Sequence, residues 1–64
     1  MNINFITAVT HIIDYLENSG HDVGEWDTYG AAKDLCAICE MNYYTDYNQV
    51  SNAEFTELLK EHKL

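Results

Sequence analysis

The chain contains no proline, three glycines and two cysteines in 64 residues, and Lys33, Lys60 and Lys63 are its only permanently positive side chains. Three lysines cannot offset eleven carboxylates, and the formal charge is −8. Such a surface repels phosphate backbones and anionic lipid and favours a positively charged protein as partner. Direct DNA or RNA binding is excluded on this ground, and no segment reads as a basic recognition helix. The absence of proline removes polyproline segments and stiff linkers. The cysteines, Cys36 and Cys39, stand too close in sequence to close a long stabilising loop, so the chain does not read as a secreted disulfide scaffold. No apolar run approaches the roughly 20 residues that a membrane span needs, so no membrane association is expected. The segment Met1-Asn2-Ile3-Asn4-Phe5 lacks the basic run and small-residue cleavage pattern of a secretory signal, and the cytoplasm is the expected location.

Hydrophobic residues make up 47% of the chain, too many for a solvated acidic tail. The length allows one domain with one small core, so the expectation is a single acidic helical domain over 1–64. The hydrophobic period places helices at about 4–18, 28–44 and 51–63 in an all-α three-helix bundle with the middle helix central. In the first helix Phe5, Val9, Ile12 and Leu16 recur at helical spacing with Ile6 and Ile13 beside them, and Thr7, Thr10, His11, Asp14 and Asn18 face away. Asn2 or Asn4 can cap its start, and Ser19-Gly20 ends it.

After a loop of glycine and acids, Asp27 or Thr28 caps the second helix. There Ala31, Ala32, Leu35, Cys36, Ile38 and Cys39 cover most of the circumference, leaving Lys33, Ala37, Glu40 and Tyr44 for water. Small residues at Gly30, Ala31 and Ala32 let a neighbouring helix come close. Asn42 falls on the buried side of that wheel, so it is either a satisfied core amide or the helix end. Tyr43, in line with Tyr29 and Cys36, is expected in the core. The third helix opens with Ser51 and Glu54 at capping-box spacing and with Val50 and Phe55 in hydrophobic-staple positions. Between the last two helices, Tyr43 to Val50 admits a short extended stretch.

No constellation in the chain calls for chemistry. Cys36-x-x-Cys39 lies inside a helical pattern, without the tight turn of a zinc knuckle or the helix-start position of a reactive dithiol, and reads as two reduced, buried thiols. His11, His21 and His62 are scattered and none is paired with a nucleophile. Ser19 and Ser51 are explained as helix-end residues, and His62 as a favourable charge near the negative end of a helix dipole. No catalytic residue, metal ligand set or cofactor is therefore expected.

The surface is what remains. Glu54, Glu57 and Glu61 share one stripe of the third helix over roughly 10 Å, the reach of about three phosphate steps along one nucleic-acid strand. Asp22, Glu25 and Asp27 extend the acidic surface along the loop, where Trp26 is either a lid over the core or an exposed anchor. Tyr44 and Tyr47, beside Asp46, have the composition of a contact surface and are expected to be exposed. These ten residues form the expected partner-binding set. A basic protein, a nucleic-acid-binding enzyme or complex, is the expected partner. Small inhibitors encoded by phages and mobile elements, of anti-CRISPR, anti-restriction or polymerase-directed type, share this size and charge; that analogy of composition implies action in the host cytoplasm by charge mimicry. The alternative is a homodimeric structural or adaptor bundle that buries Trp26, Tyr44 and Tyr47 against its copy.

Overall fold

The computed structural model describes every residue except Met1 and Asn2, so the capping alternative at Asn2 lies outside the described residues. Three helices follow one another: α1 (Phe5–Asn18), α2 (Thr28–Met41) and α3 (Asn52–Glu61). Single 3-10 turns at Val23–Glu25 and Tyr47–Gln49 interrupt the connections. Among the described residues there is no strand, only an isolated antiparallel bridge between Trp26 and Lys63. The fold is the expected all-α three-helix bundle, and α2 is the helix that packs against both neighbours.

Local chemistry sets the helix ends. Asn4 caps α1 reciprocally: its Oδ1 accepts from the Thr7 amide at 2.9 Å while its own amide donates to Thr7 Oγ1 at 3.3 Å. At the far end the His21 amide donates to the Leu16 carbonyl at 2.9 Å around Gly20, whose φ of +78° suits a residue without a side chain. Asp27 caps α2 through Gly30, and Ser51 caps α3 through Glu54 at 3.2 Å.

The expected second helix is one turn too long. Asn42 terminates it, exposed, with Nδ2 donating to the Ile38 carbonyl at 2.8 Å. Tyr43 then adopts φ +56°, and the Tyr44 amide closes the turn onto the Cys39 carbonyl at 2.9 Å. This is the same terminal motif that Gly20 makes after α1, built here on a tyrosine. Because the helix stops, the seven-residue register ends with it, and Tyr43 is 91% exposed rather than in the core. Tyr29 of that line is exposed as well.

The core gathers Ala8, Ile12 and Leu16 from α1, Ala31, Ala32, Leu35 and Cys39 from α2, and Phe55, Leu58 and Leu59 from α3, closed by Tyr47 and Val50. Ile12, Leu16 and Leu35 are fully buried, each contributing about 1.5–3 kcal/mol by removal from water. The buried stripe of α1 is turned from its expected position. Ile6 is 75% exposed, whereas Thr7 and His11, assigned to the solvent side, border Tyr47. The reason is tertiary: Tyr47 enters beside α1 and draws those polar residues inward.

Tyr47 is 3% exposed, which corrects its expected exposure. Its hydroxyl lies 2.6 Å from Thr7 Oγ1 and donates to the Asn4 carbonyl at 3.0 Å, tying the second connection to the start of α1. The 3-10 turn that carries it is capped in both directions by Asp46 and Gln49, with Gln49 Oε1 accepting from the amides of Thr45 and Asp46. A capped turn therefore stands where an extended stretch was expected. Tyr44 is half-buried against the core.

Candidate functional site

The acidic stripe of α3 forms one wall of a groove. Glu54, Glu57 and Glu61 are all exposed on one side, Asp34 of α2 faces them, and Ala37, Ile38, Met41 and Leu58 supply an apolar floor, enclosing about 320 Å³. The floor exists because α2 presents the apolar side chains of Ala37, Ile38 and Met41 on this side, and Met41 at its end is 80% exposed. Glu57 has Lys60 at 3.9 Å, a solvent-exposed pair of little energetic weight. Among the described residues Glu54 and Glu61 have no ion-pair partner.

The remaining expected contact residues divide by what holds them. Asp22 Oδ1 accepts from the Gly24 amide, Asp27 Oδ1 from the Gly30 amide and Asp46 Oδ1 from the Asn48 amide, so each of these carboxylates caps a turn or helix. Glu25 lies 3.8 Å from Lys63. Trp26 is half-buried against the core, with His21 edge-on at 5.5 Å and Lys63 Nζ 5.6 Å from its ring, so it serves as the lid. The C-terminal residues seal this end: the Asp27 amide donates to the His62 carbonyl and the Leu64 amide to the Glu25 carbonyl. The loop carboxylates and the α3 stripe are thus separate features, and Tyr44 and Tyr47 belong to neither.

Besides Met41, two residues that contribute to the surface were not in the expected set. Asp34 joins the α3 acids only because α2 and α3 pack side by side, and its Oδ2 lies 2.6 Å from His62 Nε2. Tyr43 becomes a projecting aromatic through its left-handed backbone. A signal for the second was present in the chain, since Asn42 on the buried side of the wheel marks a helix end.

Neither cysteine is poised to react. Burial raises both thiols above their ordinary pKa, with Glu40 adding to the effect at Cys36 and Cys36 itself, Asp46 and Glu54 adding at Cys39. Among the described residues no three His, Cys, Asp or Glu side chains come together in a way that could hold a metal ion. No helix among them is long and apolar enough to cross a membrane.

No protein-family model, curated protein or solved structure matches the chain.

Proposed function

We propose that this protein is a small acidic inhibitor that docks on a basic, nucleic-acid-handling protein and occupies its nucleic-acid site, presenting carboxylates where phosphates would lie. One observation carries the reading: Glu54, Glu57 and Glu61 stand in a row on a single rigid helix, joined across the groove by Asp34, above an apolar floor that ends at Met41. A row of this kind offers charge at fixed spacing to a cleft built for a polyanion, and opposite charge accelerates the encounter. The exposed Met41 adds apolar contact within the groove, and Tyr43, two residues on, offers an exposed aromatic ring of the kind that anchors interfaces. Tyr43 holds its ring in solvent from a backbone region that costs a non-glycine residue about 1 kcal/mol, a form of local strain found at contact sites. Inhibition by occupancy needs no catalytic group. Anti-CRISPR, anti-restriction and polymerase-directed action all fall within this reading.

The test is affinity purification from host lysate after nuclease treatment, with the triple variant Glu54→Gln, Glu57→Gln, Glu61→Gln as the control. The expected outcome is a nucleic-acid-handling protein held by the native chain, displaced by its own nucleic acid, and lost with the variant. Retention by the variant, or capture of no such protein, overturns the reading.

A second reading, a homodimeric structural or adaptor bundle, is favoured by a different observation. Phe5, Ile6 and Tyr29 are exposed around a shallow groove completed by Val9 and Thr10, and no carboxylate lines it. A second copy can meet this face without opposing like charges. Of the dimer face first expected, Tyr47 is buried and Trp26 and Tyr44 are half-buried, so it offers less open ring than this one. Sedimentation of the native chain and of Ile6→Glu distinguishes the readings: a dimer that the variant dissociates supports this one.

A further inference from the structure

A second groove runs on the other side of α3, between α1 and the segment that begins at Tyr47. Its base is aromatic. The His11 ring lies 5.0 Å from Tyr47 and meets Phe55 edge-on at 5.6 Å, and Tyr15 meets Phe55 edge-on at 4.9 Å. Its rim is polar: Asp14 and Asn18 on the α1 wall, Asn48 and Asn52 opposite. The enclosed space is about 260 Å³, just below the roughly 300–1,000 Å³ of small-molecule sites and suited to one long side chain.

The groove carries negative charge that the chain does not neutralise. Among the described residues Asp14 has no ion-pair partner, and Asp46 also acts on His11. The lysines lie elsewhere: Lys60 on Glu57, Lys63 on Glu25, and Lys33 near Glu40 and Phe5 on the α1–α2 side. Burial lowers the His11 pKa, so at neutral pH its ring adds no positive charge to the site.

We propose that this groove receives an arginine side chain of a protein partner, with the guanidinium edge on Asp14 and its face against the Tyr15 ring, which is exposed where Phe55 is buried. The chemistry selects arginine. A guanidinium is planar, stacks on aromatic faces and pairs bidentately with a carboxylate, and its remaining N–H groups need acceptors such as the side-chain carbonyls of Asn18, Asn48 and Asn52. A lysine ammonium would satisfy the charge but has no planar face to lay on the Tyr15 ring and cannot pair bidentately with Asp14. A phosphate or carboxylate ligand would meet the Asp14 carboxylate and be repelled. The partner in this inference is the basic protein proposed above, while the groove is distinct from the one between α2 and α3.

The probe is N-acetyl-arginine amide, titrated into the labelled full chain and followed by amide chemical shifts, with N-acetyl-lysine amide at matched ionic strength. Expected are saturable shifts at Tyr15, Asn18, Asn48 and Asn52, an affinity for the arginine probe about tenfold above the lysine probe, and a loss of about tenfold with Asp14→Asn. Asp14 is exposed, so that variant keeps the fold, and Tyr15→Leu, which keeps apolar cover but removes the ring face, must also weaken binding. Equal affinity for the two probes, indifference to Asp14→Asn, or shifts confined to Glu54, Glu57 and Glu61 would each overturn the inference. The last result would leave the α3 stripe intact as the docking face, so failure here and failure of the inhibitor reading are separable.

Discussion

The imidazole of His62 joins α3 to α2 through Asp34: its Nε2 lies 2.6 Å from Asp34 Oδ2, 28 residues away in the chain, while its Nδ1 lies 3.7 Å from Asp27 Oδ2. One side chain beyond the last turn of α3 therefore spans a carboxylate on α2 and the one that caps it. The clasp also explains Gly30, because a Cβ there would run into the Asp27 carboxylate and the His62 ring.

The clasp carries stability. His62→Ala should lower unfolding free energy by about 1 kcal/mol, at the low end for a charge-assisted hydrogen bond because Asp34 is half exposed to screening solvent. Gly30→Ala, ordinarily a gain of up to about 1 kcal/mol inside a helix, should instead destabilise. Urea denaturation of both variants checks this, and a stabilising Gly30→Ala would mean that the Asp27–His62 approach is loose.

The Tyr47 hydroxyl contributes through its contacts with Thr7 and Asn4, so Tyr47→Phe should cost about 1–2 kcal/mol in a thermal or urea melt. Tyr44→Phe is the matched control. The Tyr44 hydroxyl makes no hydrogen bond among the described residues, and its removal should change stability by less than about 0.5 kcal/mol.

Tyr43→Gly should raise stability by up to about 1 kcal/mol, since glycine adopts φ +56° without steric cost. The same variant should weaken capture of the basic partner, because it removes the projecting ring. Stability and binding moving in opposite directions is the expected signature. A variant that binds as well as the native chain would show that the ring is not used.

Stability should fall on acidification in a window set by His11. Burial holds its folded pKa below the ordinary imidazole value of 6.5, with Asp46 and Asp14 opposing the shift only in part. The unfolded chain therefore takes up this proton first. The His11 contribution is complete above about pH 6.5, declines as pH falls from there, and levels off below the lowered folded value. His11→Gln should remove that part of the slope, which denaturation at a series of pH values would measure.

Much of the fold was readable from local signals, because caps and hydrophobic periods act over a few residues. Asn4, Asp27 and Ser51 cap the three helices as side-chain chemistry predicts, and Gly20 ends the first. The turn at Asp46 to Gln49 went unread because its reciprocal cap covers a single 3-10 turn, too short to show any period. Tyr43 and Tyr47 exchanged places, one outside and one inside, because a one-residue change of handedness after Asn42 redirects everything that follows.

The amino-acid sequence by itself determined an acidic exterior, three amphipathic helices and where each begins, since charge and capping depend on residue type and near neighbours. Only the tertiary structure decided which carboxylates share a groove, that Asp34 meets His62 and that Tyr47 is held by Thr7. Those relationships join residues far apart in the chain, and they depend on the angle at which one helix face settles against another.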